Sequence, residues 1–213
     1  MMKRRLTTLT LSLILLVLLL PVVPVSAATV LSEVMPDDNL RQAVRDKLSV
    51  KYGDVELARL QDILSLDASG LNVKDVSGLE FCTNLVRLDV SNNQIEDVST
   101  LAKRYSEAAG TKLRDINLAN NRINDISPLR DLTQLEILNL SGNRISDLSP
   151  FQREAGSYGI TVMNLSDNQI SDPAPLARLT DISVLHLVDN QISDISALAD
   201  FVGFGIGDVL SLY

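Results

Sequence analysis

The chain of 213 residues contains little of several residue types on which common protein chemistries depend. It has a single cysteine, Cys82, so no disulfide can form within it. It has one histidine and no tryptophan, and aromatic residues make up only 4% of the sequence. It also has no glycine-rich phosphate-binding motif and no zinc-binding spacing. These absences count against nucleotide and zinc chemistry, and the scarcity of aromatic rings counts against sugar binding.

Basic residues are few, and three of them stand at the start of the chain. Lys3–Arg5 precede the apolar run Leu6–Leu20, and the small residues Val25–Ala28 follow two prolines, which is the layout of a secretory signal peptide. We expect cleavage after Ala27, or else after Ala28; an uncleaved membrane anchor is the alternative. Residues 1–27 are therefore assigned to the signal, and the protein is expected to be secreted or extracytoplasmic.

The charge balance bears on the partners that the protein could bind. The whole chain has 19 Lys and Arg against 27 Asp and Glu, and removal of the three basic signal residues leaves 16 against 27, a net charge of −11. Nucleic acids and anionic membranes attract basic surfaces, so we expect no nucleic-acid partner and only a transient membrane contact through the signal segment.

One sequence pattern occurs six times after residue 62. The copies are Ser65–Leu79, Arg87–Leu101, Asp115–Leu129, Ile137–Phe151, Val162–Leu176 and Val184–Leu198. Their shared core, L-x-x-L-x-L-x-x-N-x-I, is the signature of a leucine-rich repeat. We assign residues 63–213 to six full repeats and the strand of a truncated seventh. Because such repeats stack on one another and present surfaces for binding, the sequence predicts an α/β solenoid with a binding role.

Each repeat predicts one coil with a short parallel strand whose alternate leucines point inward. The asparagine after the strand is also predicted to point inward and to bond the backbone of the next coil, since a buried amide needs partners. These residues are Asn93, Asn121, Asn143, Asn168 and Asn190. The aspartates Asp97, Asp125, Asp147, Asp172 and Asp194 are predicted to accept local backbone N–H bonds at a corner. Short helices are predicted at Ala102–Ala109 and Gln152–Ser157, and Cys82 as a small buried group.

Residues 28–62 are predicted to be a spacer and a helical cap. Asp37 or Asp38 can begin a helix whose apolar stripe is Leu40, Val44 and Leu48. A second, shorter helix is predicted at about Val55–Gln61. The first coil of a stack exposes an apolar end, which this helical unit would cover.

The residues between the inward leucines are predicted to form the exposed, concave face of the sheet. The candidate partner-binding residues on it are Arg87, Asp89, Asp115, Asn117, Ile137, Asn139, Val162, Asn164, Val184 and His186. The first half is charged, whereas the second half has an aliphatic stripe, Ile137, Val162, Val184 and Val209. An apolar stripe beside polar groups is typical of an interaction site, although β-branched residues also favour strand pairing in any sheet. We therefore predict a protein or peptide ligand.

The same face offers no arrangement typical of an enzyme or a metal site. His186 has Ser183, Ser211 and Asp189 near it in sequence, but a flat sheet provides no pocket or oxyanion hole. The equivalent pairs Asp67/Asp89 and Asp167/Asp189 supply too few oxygens for calcium. No catalytic, cofactor-binding or metal-ligating residue is assigned, and we expect the protein not to be an enzyme.

The last residues, 207–213, read as a strand without a turn. Either the product is a truncated fragment of a larger surface protein or the open strand edge associates with a partner or with itself. A structural or spacer element of this kind is the alternative to the binding function.

The turn pattern N-Q-I-x-D-[IV]-S-x-L and the phrase Pro36–Arg45 resemble the internalin-like leucine-rich repeat proteins of bacterial surfaces, with their short repeats of about 22 residues. The resemblance extends over about residues 35–212. It implies a curved, right-handed solenoid, a parallel sheet on the concave side, a helical cap before the first coil and a protein-binding role. That family has no shared catalytic residues to transfer.

Overall fold

The structure, a computed structural model, describes residues 30–102, 112–152, 159–198 and 209–212. Seven short strands form one parallel sheet in chain order: β1 Ser65–Asp67, β2 Arg87–Asp89, β3 Asp115–Asn117, β4 Ile137–Asn139, β5 Val162–Asn164, β6 Val184–His186 and β7 Val209–Ser211. Each strand lies beside the next strand in the chain, so every repeat adds one coil to a stack. The predicted strand of the seventh coil is thus present as β7.

The return paths between the strands contain short helices. The return path after β2 holds a short α-helix, Ser99–Ala102. The others hold the 3-10 helices Leu79–Phe81, Ser127–Asp131, Ser149–Phe151, Ala174–Arg178 and Ser196–Leu198. The predicted helices at Ala102–Ala109 and Gln152–Ser157 lie almost entirely outside the described residues.

The strand register aligns the inward side chains of successive coils. Leu66, Leu88, Ile116, Leu138, Met163 and Leu185 are register partners and are at most 2% exposed. The predicted period of two is therefore confirmed. Leu210 of β7 continues the row but is 39% exposed. This row and the isoleucines of the turns form one continuous apolar core along the stack.

The asparagine after each of the strands β2–β6 points into the stack, as predicted. The Nδ2 group of Asn143 donates to the carbonyl oxygens of Leu118 in the preceding coil and Leu140 in its own coil, both at 3.0 Å. The backbone N–H of Ile123, in the preceding coil, donates to its Oδ1 at 3.0 Å. Equivalent bonds are made by Asn93, Asn121, Asn168 and Asn190. Each buried amide therefore joins two coils; we call this row the interior asparagine file.

The residue before each of these asparagines has a left-handed backbone. The φ angles lie between 53° and 68° for Gly70, Asn92, Asn120, Gly142, Asp167 and Asp189. Gly, Asn and Asp are the residues that adopt this conformation most readily. The first coil keeps this turn even though Leu71 takes the place of the asparagine. The left-handed turn therefore explains why Asp167 and Asp189 stand at equivalent positions of neighbouring repeats.

The predicted corner bonds are also present. Backbone N–H groups two residues further on donate to Asp97, Asp125, Asp147, Asp172 and Asp194 at 2.7–2.9 Å. These bonds fix the entry into each return path. Each of these carboxylates therefore accepts a hydrogen bond from the backbone of its own turn.

A helical cap precedes the first coil. Helix α1 spans Leu31–Val34 and was not predicted, whereas α2, Asp38–Lys47, begins where the sequence indicated. Asp37 is the residue that caps α2: its Oδ1 accepts the backbone N–H groups of Asn39 and Leu40, each at 3.0 Å. Its Oδ2 accepts the backbone N–H of Lys74 in the first coil at 2.8 Å. One carboxylate therefore starts the helix and attaches it to the stack.

The second predicted helix differs in type from a regular α-helix. It is a 3-10 helix at Leu57–Asp62. Leu57, Leu60 and Ile63 are spaced three apart, which matches three residues per turn and places all three toward the core. The cap also contacts the stack at Gly78, whose φ is 98° and where an added Cβ would lie 2.8 Å from the Cβ of Met35.

Among the described residues, no helix has the length and apolar character required to cross a membrane. The predicted signal segment, residues 1–27, lies outside the described residues.

Candidate functional site on the sheet face

The register assembles all ten predicted site residues on one surface, which we call the sheet face. Its outer column is Ser65, Arg87, Asp115, Ile137, Val162, Val184 and Val209. Its central column is Asp67, Asp89, Asn117, Asn139, Asn164, His186 and Ser211. All of these side chains are exposed or half-buried. The structure thus brings the predicted residues together; their binding role stays a prediction.

Most of the central column also has a structural role that the sequence analysis missed. The Oδ1 of Asp89 accepts the backbone N–H of Ser91 at 2.9 Å, and the Oδ1 of Asn139 accepts that of Ser141 at 3.1 Å. The same bond occurs at Asp67, Asn117 and Asn164. The signal in the sequence is an Asp or Asn two residues before a small residue in each of the first five coils. These side chains shape their own turn and leave their remaining polar atoms on the surface.

The first half of the sheet face is charged. The Nε of Arg87 lies 3.8 Å from the Oδ2 of Asp115, and Arg114 forms an ion pair with Glu136. The Oδ2 of Asp89 accepts a hydrogen bond from the Nδ2 of Asn117 at 2.9 Å. Arg87, Asp89, Asp115 and Asn117, together with Asp67, line a shallow depression of about 210 Å³ over β1–β3.

Asp67 lies at the acidic end of this half. The hydrogen bond from the backbone N–H of Ser69 is the main reason that the pKa of its carboxyl is lowered, and a bond from the Ser69 side chain adds to this effect. Asp67 is therefore ionised at neutral pH. In the part of the chain that the structure describes, no Lys or Arg forms an ion pair with Asp67 or Asp89.

The second half of the sheet face is aliphatic along its outer column. Ile137 is 40% exposed and Val209 is 43% exposed, with the half-buried Val162 and Val184 between them. The two columns of β4–β7 contain no Lys, Arg, Asp or Glu. Leu64, which is 59% exposed at the opposite end of the stack, is an additional apolar side chain that the sequence analysis did not single out.

His186 lies between Asn164 and Ser211 in the central column. Within the described ranges, its side chain makes no hydrogen bond to Ser183, Ser211 or Asp189. The same ranges contain no cluster of three or more His, Cys, Asp or Glu residues positioned to hold a metal ion. No geometry typical of a nucleophile, its base or a metal centre is therefore present among these residues.

Cys82 lies in the core between β1 and β2, as predicted. Burial, and secondarily the charge of Glu80, raises the pKa of its thiol to about 12. The thiol therefore remains protonated and unreactive while the first coils are folded.

Comparisons with known proteins agree with this architecture. A family model described as "Leucine Rich repeats (2 copies)" matches residues 63–103 and 111–153. An internalin (inlF) of Listeria monocytogenes str. 4b F2365 superposes with a TM-score of 0.64 at 30% identity, over 81% of this chain and 56% of that chain. Internalin C2 (inlC2) of the same strain superposes with a TM-score of 0.58 at 25% identity, over 85% of this chain and 96% of that chain.

A curated rice protein also matches part of the repeat region. It is the acidic leucine-rich nuclear phosphoprotein 32-related protein 1 of Oryza sativa subsp. japonica, 35% identical over 82 residues. The match covers 38% of this chain and 16% of that protein. The chain thus spans only a small part of this relative and about half of the inlF internalin.

The stacked coils, the interior asparagine file and these likenesses define a leucine-rich repeat solenoid, the predicted fold class, with its parallel sheet on the concave side. Within that class, the chain is an internalin-like leucine-rich repeat protein. This fold is a scaffold for interactions between proteins rather than for catalysis.

Proposed function

We propose that this protein binds a protein or peptide partner through the sheet face. The observation that carries the proposal is the aliphatic stripe of the second half: Ile137, Val162, Val184 and Val209 align in one column without a covering element among the described residues. Contiguous exposed apolar side chains beside a polar row are characteristic of binding surfaces. The nearly complete lack of aromatic side chains there favours moderate affinity, because aromatic anchors commonly dominate interfaces.

We further propose that the protein acts outside the bacterial cytoplasm. The signal-like pattern of residues 1–27 and the likeness to Listeria internalins support this location. To test it, the full chain is expressed in a bacterium with a general secretion pathway, and the protein in the medium is analysed by mass spectrometry. A mature product that begins at Ala28 or Thr29 is expected, whereas retention of an intact Met1 product in the cell would contradict the proposal.

The binding function is tested with a phage library of random peptides selected on the immobilised protein. Selected peptides are then measured against Val162→Arg/Val184→Arg. An arginine is structurally compatible with this column because Arg87 occupies it in β2. We expect the double substitution to weaken binding at least about tenfold, since it places two charges in an apolar contact. A folded variant with unchanged affinity would count against the proposal.

The matched control is Ser171→Arg/Ser193→Arg. Both serines are exposed, lie in the turns of the same two coils and are absent from the sheet face. This control makes the same change in net charge. If it weakens binding as much as the valine substitutions, the peptides are responding to charge and not to the aliphatic stripe.

An alternative proposal is a structural element that associates with itself through β7, where Val209 and Leu210 are 43% and 39% exposed. A strand with free edge groups can pair with another chain. Sedimentation over a range of concentrations distinguishes the two: self-association through β7 predicts dimers that Val209→Lys removes, whereas the binding function predicts no effect of that substitution on mass.

A further inference from the structure

The sheet face is polarised along the stack: at one end Asp67 and Asp89 form no ion pair with any described residue, and at the other end the outer column is aliphatic. We propose that the partner is a protein segment with a lysine or arginine that lies between Asp67 and Asp89 and with apolar side chains that cover Val162 and Val184. This inference rests on the proposed function and adds the chemistry and the direction of the bound segment.

The charged end provides the first part of the argument. Asp67 and Asp89 are register partners on neighbouring strands, where like charges repel each other. Arg87 lies on the same strand as Asp89 and is the register partner of Ser65, which is on the same strand as Asp67, but its Nε lies beside Asp115 in the outer column, at 3.8 Å. Among the described residues, the only side chain that donates a hydrogen bond to Asp89 is the uncharged amide of Asn117. A cation supplied by a partner would relieve this repulsion, whereas an acidic segment would increase it.

The aliphatic end provides the second part. From β4 to β7 the outer column consists of Ile and Val, and the central column consists of Asn, His and Ser. Neither column contains a Lys, Arg, Asp or Glu side chain. Burial of a partner's leucine or phenylalanine against Val162 and Val184 is favourable at about 25 cal/mol per Å² of apolar area. A charged side chain placed there would lose hydration without gaining an ion pair. The two ends therefore select different side chains from one segment.

The spacing of the strands gives the length of the segment. The Asp67/Asp89 pair lies about four strands from the Val162/Val184 pair, or about 19 Å at about 4.8 Å per strand. An extended chain spans this distance with about six residues, and an α-helix with about 13 residues. A random peptide of about 16 residues can therefore reach both ends in either conformation.

The test uses peptides of this length, displayed on phage and selected on the full chain at low salt with EDTA present. Enriched sequences are expected to have Lys or Arg toward one end and Leu, Ile, Val or Phe toward the other. Individual peptides are then measured against Asp67→Asn/Asp89→Asn. Asparagine preserves the Oδ1 acceptor of the turn and already occupies the same column at Asn117, Asn139 and Asn164.

We expect the Asp67→Asn/Asp89→Asn variant to raise the Kd about three- to thirtyfold, as two exposed ion pairs would. Binding to the wild type should also weaken when NaCl is raised, and this salt dependence should be reduced in the variant. The matched control is Asp125→Asn/Asp147→Asn, which removes two exposed carboxylates at turns of neighbouring coils, away from the sheet face. This control should leave the Kd unchanged.

The outcomes separate this inference from the proposed function. Peptides that respond to Val162→Arg/Val184→Arg but not to Asp67→Asn/Asp89→Asn would overturn the inference and leave the proposed function standing. Peptides indifferent to both variants would overturn both. Equal weakening by the Asp125→Asn/Asp147→Asn control, or enrichment of acidic peptides, would overturn the inference alone. A library that yields binders to a reference target but none to this protein would count against both.

Discussion

Two rows of Asn and Asp side chains run along the stack four residues apart in sequence, one inside the core and the other on the sheet face. In the fourth coil they are Asn143 and Asn139. Asn143 bonds the backbone of two coils, whereas the bonds that Asn139 accepts within the described residues come from Ser141 in its own turn. The same amide therefore connects coils in one row and shapes a single turn in the other. The comparison predicts that burial and the number of coils contacted, and not residue type, decide what an asparagine contributes to stability.

The largest effect is expected for Asn143→Ala. It would leave the buried N–H of Ile123 without its acceptor and would remove one of the two asparagine bonds to each of the carbonyl oxygens of Leu118 and Leu140, which keep their bonds from Asn121 and Asn168. Because one buried unsatisfied group costs about 1–3 kcal/mol and each of the two other lost bonds contributes about 0.5–1.5 kcal/mol, we expect a loss of about 2–5 kcal/mol in the free energy of unfolding. Urea denaturation followed by circular dichroism measures it. If Asn143→Ala lost less free energy of unfolding than Asn139→Ala, the interior row would not be the more stabilising of the two rows.

The interior file is also expected to act locally. Asn93 bonds the turn of the first coil through the N–H groups of Leu71 and Val73, close to the return path that holds Cys82. Because repeat stability is a sum over neighbours, Asn93→Ala should open this region without opening distant coils. We expect the native-state reaction of Cys82 with a thiol reagent to accelerate about tenfold, a difference of about 1.4 kcal/mol. Asn168→Ala is the control.

Equal acceleration by Asn93→Ala and Asn168→Ala would indicate that the stack opens as a single cooperative unit. The file would then stabilise the whole molecule and not pairs of coils.

A smaller effect is expected for Asn139→Ala on the sheet face. It removes the bonds from the N–H and hydroxyl groups of Ser141, both of which can be replaced by water. We expect a loss of about 0.5–1 kcal/mol by the same urea titration. Asn139→Asp, which keeps the acceptor and matches Asp89 in β2, should be closer to the wild type. A loss comparable to that of Asn143→Ala would show that the sheet-face row also holds the stack together.

The smallest effect is expected for Asp67→Asn, and it should depend on pH. The pKa of the Asp67 carboxyl is lowered in the folded state by the Ser69 hydrogen bond, so its contribution to stability is present above the unfolded pKa and is lost as the pH falls through the folded pKa. Asparagine accepts the same bond at every pH. The wild type should exceed the variant by no more than about 0.5 kcal/mol at pH 7.

This difference should decrease as the pH falls below about 4. Urea titrations at pH 7, 4 and 3 measure it. A difference that grows on acidification would show that the carboxylate destabilises the fold, as expected if repulsion from Asp89 outweighs the Ser69 bond.

The sequence predicted the coil and its interior because repetition makes the same signal appear many times. The inward positions of Leu88, Asn121 and Ile145 follow from a pattern that a single copy would not have established. The helix start at Asp37 was also predictable from its capping chemistry. All of these features depend on contacts close in sequence or repeated at a fixed interval.

Other features depend on contacts that have no repeated pattern. Helix α1 is only four residues long, and its Leu31 is buried by packing against the cap, which no local signal indicates. The 3-10 helix at Leu57–Asp62 was expected as an ordinary helix because apolar spacing alone distinguishes the two types poorly. The turn bond of Asn139 was missed because an exposed asparagine and an asparagine that bonds its own turn give the same polar position in the sequence pattern. Which sheet-face residues bind a partner depends on that partner.

The left-handed turns determine how a large ligand could approach. The turn positions from Gly70 to Asp189 hold only glycine, asparagine or aspartate, so a ligand that contacts them meets short side chains. Arg114 and Glu136, which form an ion pair with each other, instead stand just before their strands. A ligand that enters over the beginnings of these strands therefore meets long charged side chains, and the two directions of approach differ chemically.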